Sequence, residues 1–127
     1  MSPLIIQGDR ILPSVDFNLT TGRLSITGRC IPENVLEAFA PMLDWLDGFC
    51  TLSPKAVVLD IRLEYFNSTS VSRLSTVVRK VADLRAKGTE VTINWHYEED
   101  DEDMMESGND LIEAFHVPMR LVPYSDR

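Results

Sequence analysis

The sequence is poor in the residues from which disulfide frameworks, metal centres and phosphate loops are built. It holds two cysteines, two histidines and six glycines in 127 residues. Cys30 and Cys50 lie in separate apolar surroundings and form no metal-spaced pair, so both read as buried or free thiols. His96 and His116 stand far apart, and neither belongs to a zinc spacing such as H-E-x-x-H. The glycines form neither a Walker nor a Rossmann loop. Long hydrophobic runs are missing too. Leu4-Ile5-Ile6 is cut short by Gln7-Gly8-Asp9-Arg10, so the chain is expected to carry neither a secretion signal nor a membrane span, and to be cytoplasmic. Basic charge is scarce: 12 Lys and Arg face 20 Asp and Glu, a net charge of −8. Nucleic acid and anionic membranes are bound by clustered cations, so the balance points to protein partners.

What remains is the composition of an ordinary globular protein, 44% hydrophobic and 25% charged. No repeat, low-complexity tract or linker divides it, and residues 1–127 are expected to form one regulatory domain. Five stretches alternate apolar and polar residues with the period of a half-buried strand. Val15, Phe17 and Leu19 mark the first. Leu24, Ile26 and Gly28 mark the second, after the turn at Thr21-Gly22, and the two predict a hairpin. The third opens with the run Ala56-Val57-Val58-Leu59 before alternating to Tyr65, which predicts a central strand buried on both faces at its start. Val91, Ile93, Trp95 and Tyr97 mark the fourth, and residues 119–122 a short fifth closed by Pro123.

Helical spacing fills the intervals. The first helix is predicted from Pro32, with Leu36, Phe39, Leu43, Leu46 and Phe49 inward and a kink or break at Pro41. The second runs from about Ser68 to Ala86 on Val71, Leu74, Val77, Val78, Val81 and Leu84, stopping at Gly88. The third starts in the acidic run 98–103 with Met104, Met105, Leu111, Ile112 and Phe115, broken near Gly108. The order predicts an α/β two-layer sandwich, a mixed sheet with helices covering one face and water on the other.

Little in this pattern is chemistry. The run Glu98-Glu99-Asp100-Asp101-Glu102-Asp103 lacks the glycine turn of a calcium loop, and acidic residues suit a first helical turn. It reads as a solvated helix start, with a partner-facing patch as the alternative. The informative segment is Tyr65-Phe66-Asn67-Ser68-Thr69-Ser70-Val71-Ser72-Arg73, where the central strand hands over to the second helix. Asn and Ser are preferred N-caps, so at least one of them is expected to cap. Four hydroxyls in five positions exceed what one cap needs. A helix start tolerates negative charge, and a phosphoryl group there would add about −2 to a neutral surface. That is a switch.

These residues also carry a family resemblance. The layout resembles STAS-like anti-sigma factor antagonists, and more closely the SiaC family of bacterial regulatory phosphoproteins. The matching pieces are Tyr65 to Ser68 following Asp60-Ile61-Arg62-Leu63, Trp95-His96-Tyr97 with its acidic run, and Pro32-Glu33-Asn34, over a stretch from Pro3 to about Val122. The resemblance implies a STAS-like fold and a non-enzymatic partner-switching protein without cofactor or metal. A dedicated Ser/Thr kinase would phosphorylate it and a PPM-type phosphatase would reverse this. The unphosphorylated form would bind and activate a diguanylate cyclase, raising cyclic di-GMP and favouring biofilm. The acceptor carries over to Ser68. Members of the family place Thr there and Ser next, whereas this chain has Ser68-Thr69, so Thr69 is a second candidate. Tyr65, Phe66, Asn67, Ser70 and Arg73 are expected to meet the partner, although aromatics at a strand end usually belong to a core.

Two alternatives stand beside this. One keeps the switch but pairs it with an anti-sigma factor. The other is a metal-dependent enzyme using His96 with Glu98 and Asp100, against which stands the lack of a nucleophile or ligand spacing.

Overall fold

The two-residue periods become strands of one six-stranded sheet in the computed structural model, which describes residues 1–125. The strands are β1 (Leu4–Ile6), β2 (Ser14–Asn18), β3 (Arg23–Cys30), β4 (Ala56–Phe66), β5 (Glu90–Glu98) and β6 (Arg120–Tyr124). Their order across the sheet is their order in the chain. The pairs β1–β2 and β2–β3 are antiparallel, and β3–β4, β4–β5 and β5–β6 are parallel. Three helices make the parallel connections: α1 (Val35–Thr51), α2 (Val71–Ala82) and α3 (Glu102–Phe115). Parallel crossovers turn right-handed almost without exception, so a strand order that only advances lays every connecting helix on one face. The expected two-layer sandwich with a mixed sheet is the fold observed.

The core lies between the layers. Phe17, Leu24, Ile26, Leu59, Ile61 and Trp95 point inward from the sheet and are buried. From α1, Trp45 packs against Phe17 with ring centroids 5.4 Å apart and stacks on Phe49 at 4.9 Å. The hairpin turns at Gly22, whose φ is +70° and whose Cβ, had it one, would stand 2.7 Å from the Ala56 carbonyl oxygen. Only glycine meets both conditions.

Several expectations need correcting. Residues 4–6 show no strand period in the sequence, yet β1 is a three-residue edge strand on β2. β4 alternates from its first residue, with Ala56 exposed and Val58 half-buried, because its outer face stays open. Pro32 precedes α1. The helix opens at Asn34, whose side chain accepts from the Glu37 amide at 3.2 Å. Pro41 does not interrupt it, because the ring sits on the exposed side and the inward stripe of Phe39, Met42, Trp45, Leu46 and Phe49 holds the helix down. At about 100° per residue, Leu36 and Leu43 fall to the flank of that stripe, and Leu36 is 58% exposed. Met105 of α3 also faces water. Gly108 lies within an unbroken α3, against the Trp95 indole. Pro123 lies inside β6, an edge strand where a missing N–H is tolerated.

Candidate functional site

β4 ends at Phe66 in the middle of the sheet, and the chain must then climb to the helical layer. It does so through Asn67, which is extended (φ −84°, ψ 161°), and one 3-10 turn, Ser68–Ser70, that runs into α2. The turn is pinned from inside. The Asn67 amide donates to the Cys30 carbonyl at 3.1 Å, and its side-chain NH2 donates to the Pro32 carbonyl at 3.2 Å. Ser70 Oγ donates to Asn67 Oδ1 at 2.6 Å and accepts from the Cys30 thiol at 3.6 Å. Burial pushes that thiol's pKa up against the lowering effect of the Ser70 hydrogen bond, so it keeps its proton to donate. The turn is thus tied to the end of β3 and to the segment that enters α1.

This arrangement sorts the four hydroxyls. Ser70 is fully buried and cannot meet a partner in this conformation, contrary to expectation. Its work is to hold Asn67. Ser68, Thr69 and Ser72 are exposed. Neither Asn67 nor Ser70 makes a side-chain cap to the backbone of the helix it precedes, so the expected capping role is not there. Asn67 is spent on Pro32 and Ser70 instead.

The two aromatics part company. Phe66 is half-buried, edge-on to Trp95 at 5.7 Å and 90°, as a strand-end aromatic should be. Tyr65 is 54% exposed. Strict alternation after Val57, Leu59, Ile61 and Leu63 would turn it inward. The β3–β4 register slips between Gly28 and Arg29, however, so that Gly28 pairs with Leu63 and Arg29 with Tyr65. This bulge, with Gly28 at φ +98°, sets one extra residue on β4 and leaves both Glu64 and Tyr65 outside. Arg73, in the first turn of α2, is half-buried.

Beside Ser68 runs an open groove of about 640 Å³. Its near wall is Glu64, Tyr65, Phe66, Ser68 and Val71; its far wall is one flank of α3. Apolar side chains, among them Met104, Leu111 and Phe115, line its base, and Asp101, Asp103 and Asp110 stand with Glu64 around it. Among the described residues no Lys, Arg or His lines it. The acidic run therefore serves two ends. Asp101 caps α3 by accepting from the Met104 amide at 3.0 Å, and Glu102 and Asp103 occupy the first turn, where the helix dipole favours them. Asp101 and Asp103 also face the groove.

His96 takes another direction, on the open face of the sheet. Its Nε2 hydrogen-bonds Asp60 Oδ1 at 2.7 Å, and the Asn94 NH2 donates to the same oxygen at 2.9 Å. Burial pushes the Asp60 pKa up, but these two bonds, with the charges of His96 and Arg23, outweigh it and hold the carboxyl below its ordinary range. The suggested partners Glu98 and Asp100 meet each other, the Asp100 amide donating to the Glu98 carboxylate at 3.0 Å. Among the described residues no group of three or more His, Cys, Asp or Glu could hold a metal ion.

Tyr65, Phe66 and Ser68 thus share one groove with Asp101 and Asp103 of the acidic run, and the chain matches the SiaC family of regulatory phosphoproteins over residues 6–124. It belongs to that family. This SiaC-family fold is similar to SiaC in the crystal structure of the diguanylate cyclase SiaD in complex with its activator SiaC from Pseudomonas aeruginosa. The TM-score is 0.86 and the identity 27%, over 95% of this chain and 99% of that one. Apo-SiaC of the same organism gives 0.85 and 28%, over 96% and 99%. A protein of Pseudomonas aeruginosa (strain UCBPP-PA14) is 28% identical over 126 residues, 99% of this chain and 100% of that protein. No described helix of this SiaC-family chain is long and apolar enough to cross a membrane.

Sequence reasoning missed the far wall. Asp103, Ser107, Asp110 and Ala114 recur at helical spacing along α3, a signal present in the chain. Only the parallel pairing of β4 with β5 shows that this stripe faces Ser68.

Proposed function

We propose that this protein is a non-enzymatic, cytoplasmic partner-switching regulator acting as one domain, whose unphosphorylated form binds and activates a diguanylate cyclase. Cyclic di-GMP rises as a result, and with it aggregation and biofilm. A Ser/Thr kinase switches the protein off by phosphorylating Ser68, and a PPM-type phosphatase restores it. The observation that carries this reading is the likeness, over nearly the whole chain, to an activator crystallised with its cyclase. Ser68 supports it as the acceptor, being the exposed hydroxyl that directly follows Asn67 and lines the groove. Tyr65 and Arg73 extend the partner surface, with Phe66 and Asn67 supporting it from beneath.

The switching physics follows from the surroundings. A phosphoryl group carries about −1.5 to −2 at neutral pH and holds its water tightly. Among the described residues the groove lining offers four carboxylates and no cation to replace that water. A partner covering Ser68 would have to strip the phosphate uncompensated, at a cost of several kcal/mol, enough to lose binding by orders of magnitude.

The test is phosphosite mapping after incubation with ATP and the cognate kinase, joined to cyclase binding by two variants. Ser68 should carry a single phosphate. Ser68→Ala should bind the cyclase constitutively and refuse the kinase, and Ser68→Asp should bind more weakly than the parent. Phosphate on Thr69 alone would move the address. Parent-like cyclase binding by Ser68→Asp and by the phosphorylated chain would sink the switch.

A further inference from the structure

A second groove, of about 600 Å³, lies between the first turns of α1 and the loop that joins β1 to β2. Among the described residues it shares no lining with the groove beside Ser68. We propose that it takes an extended protein segment, apolar and Lys or Arg side chains alternating, which adds to the sheet as a strand beside β1. Three observations converge on that occupant.

The first is a pair of apolar side chains held out in water. Ile11 and Leu12 line the groove and are exposed. Their loop is pinned rather than slack. Asp9 Oδ1 accepts from the Ile11 amide at 2.7 Å and the Leu12 amide at 2.8 Å, and the Ile31 amide donates to the Ile11 carbonyl at 2.8 Å. Anchors already ordered in the free protein lose little entropy when a partner covers them. Val15, Ala38 and Met42 continue the apolar lining inward.

The second is charge. Asp9, Glu33 and Glu37 belong to the lining, and among the described residues no Lys, Arg or His does; Arg10, next to Asp9, lies outside it. A second copy of this chain, meeting the first by the same surface, would bring three more carboxylates and another net charge of −8 to the same place. The charge complement is a foreign, cationic segment.

The third is backbone with nothing to pair with. β1 ends the sheet and is paired with β2 alone. Its residues Leu4, Ile5 and Ile6 include none of the charges or prolines that commonly guard an edge. Ile6, the last of them, lines the groove, so the open edge leads into it. An extended segment satisfies those amides and carbonyls, and its period of two sends alternate side chains inward and the rest towards the carboxylates. A helix would leave the edge unpaired.

The groove also reaches the switch turn without covering it. Pro32 lines it, and the Pro32 carbonyl accepts from the Asn67 side chain at 3.2 Å, while Ser68 is not part of the lining.

The experiment screens a phage-displayed library of random dodecapeptides on the full chain, discarding those that also bind Leu12→Asp. The peptides kept should alternate apolar residues with Lys or Arg. Glu33→Lys, at an exposed position, should bind them about tenfold more weakly than the parent. Circular dichroism checks that both variants keep the parent fold. Hydrogen exchange should slow at residues 4–6 when a peptide is bound. A screen that yields no such peptides, apolar residues spaced three and four apart, or exchange at residues 4–6 that does not change would each overturn the proposal. So would parent-like binding by Glu33→Lys. Dimerisation of the parent that Leu12→Asp abolishes would give the groove to a second copy and overturn it as well.

Discussion

Ser68 and Ser70 stand two residues apart in one turn and do opposite things. Ser70 is sealed in, with Asn67 Oδ1 dependent on its hydroxyl. Ser70→Ala should therefore cost about 1 kcal/mol or more, since a hydrogen bond from a buried hydroxyl is lost and the half-buried Asn67 acceptor is left without it. Ser68→Ala, at an exposed position with no capping role, should stay within about 0.5 kcal/mol of the parent. Urea unfolding of the two variants side by side decides it; equal losses would refute the clamp. The sequence announced a hydroxyl cluster at a strand-to-helix junction. It could not say which hydroxyl faces inward, because that depends on Cys30 and Pro32, distant in the chain. Asp60 makes a third case. Its folded pKa is depressed, so its contribution to stability is present above its unfolded pKa and is lost as pH falls through the folded one. Asp60→Asn should be less stable than the parent at neutral pH and lose less between about pH 5 and about pH 2, since the unfolded carboxyl titrates near 3.9. Denaturant midpoints across that range measure it, and parallel curves would count against the His96–Asn94–Asp60 arrangement.

At the scale of elements, position in the sheet overrides local preference. Gly108 weakens an isolated helix, and on that ground a break was expected there. In the fold a Cβ at this position would meet the Trp95 indole at 2.5 Å, while that indole's N–H donates to the Met104 carbonyl of the same helix at 3.0 Å. Glycine lets α3 lie down on Trp95. Gly108→Ala should therefore destabilise by about 1–3 kcal/mol despite alanine's better helix propensity, and a stabilised variant in thermal unfolding would refute this packing account. The same logic marks the limit of periodicity. β2, β3, β4 and β5 were legible because each alternates over several residues. β1 was not, since three residues carry too little pattern. The bulge that turns Tyr65 outward was illegible as well, because the extra residue on β4 shows only in its pairing with β3.

The whole molecule is acidic, with a net charge of −8, and phosphorylation makes it more so. With Ser68 as the proposed acceptor, the added charge would fall on an exposed turn whose clamp lies beneath it, so the fold should hardly register it. The melting temperature of the phosphorylated chain should lie within about 4 °C of the parent, roughly the shift that 1 kcal/mol produces in a domain of this size. A larger drop would mean that the switch works by loosening the fold. Architecture explains why such a change stays at the surface. In open sheets that bind nucleotides, the strand order doubles back, and the two loops that diverge at that switch point open a crevice at the strands' carboxyl ends. Here the order advances from β1 to β6 and never reverses. The winding opens no crevice, and what this fold can offer its surroundings is relief: a turn, a bulge and a trough beside a helix.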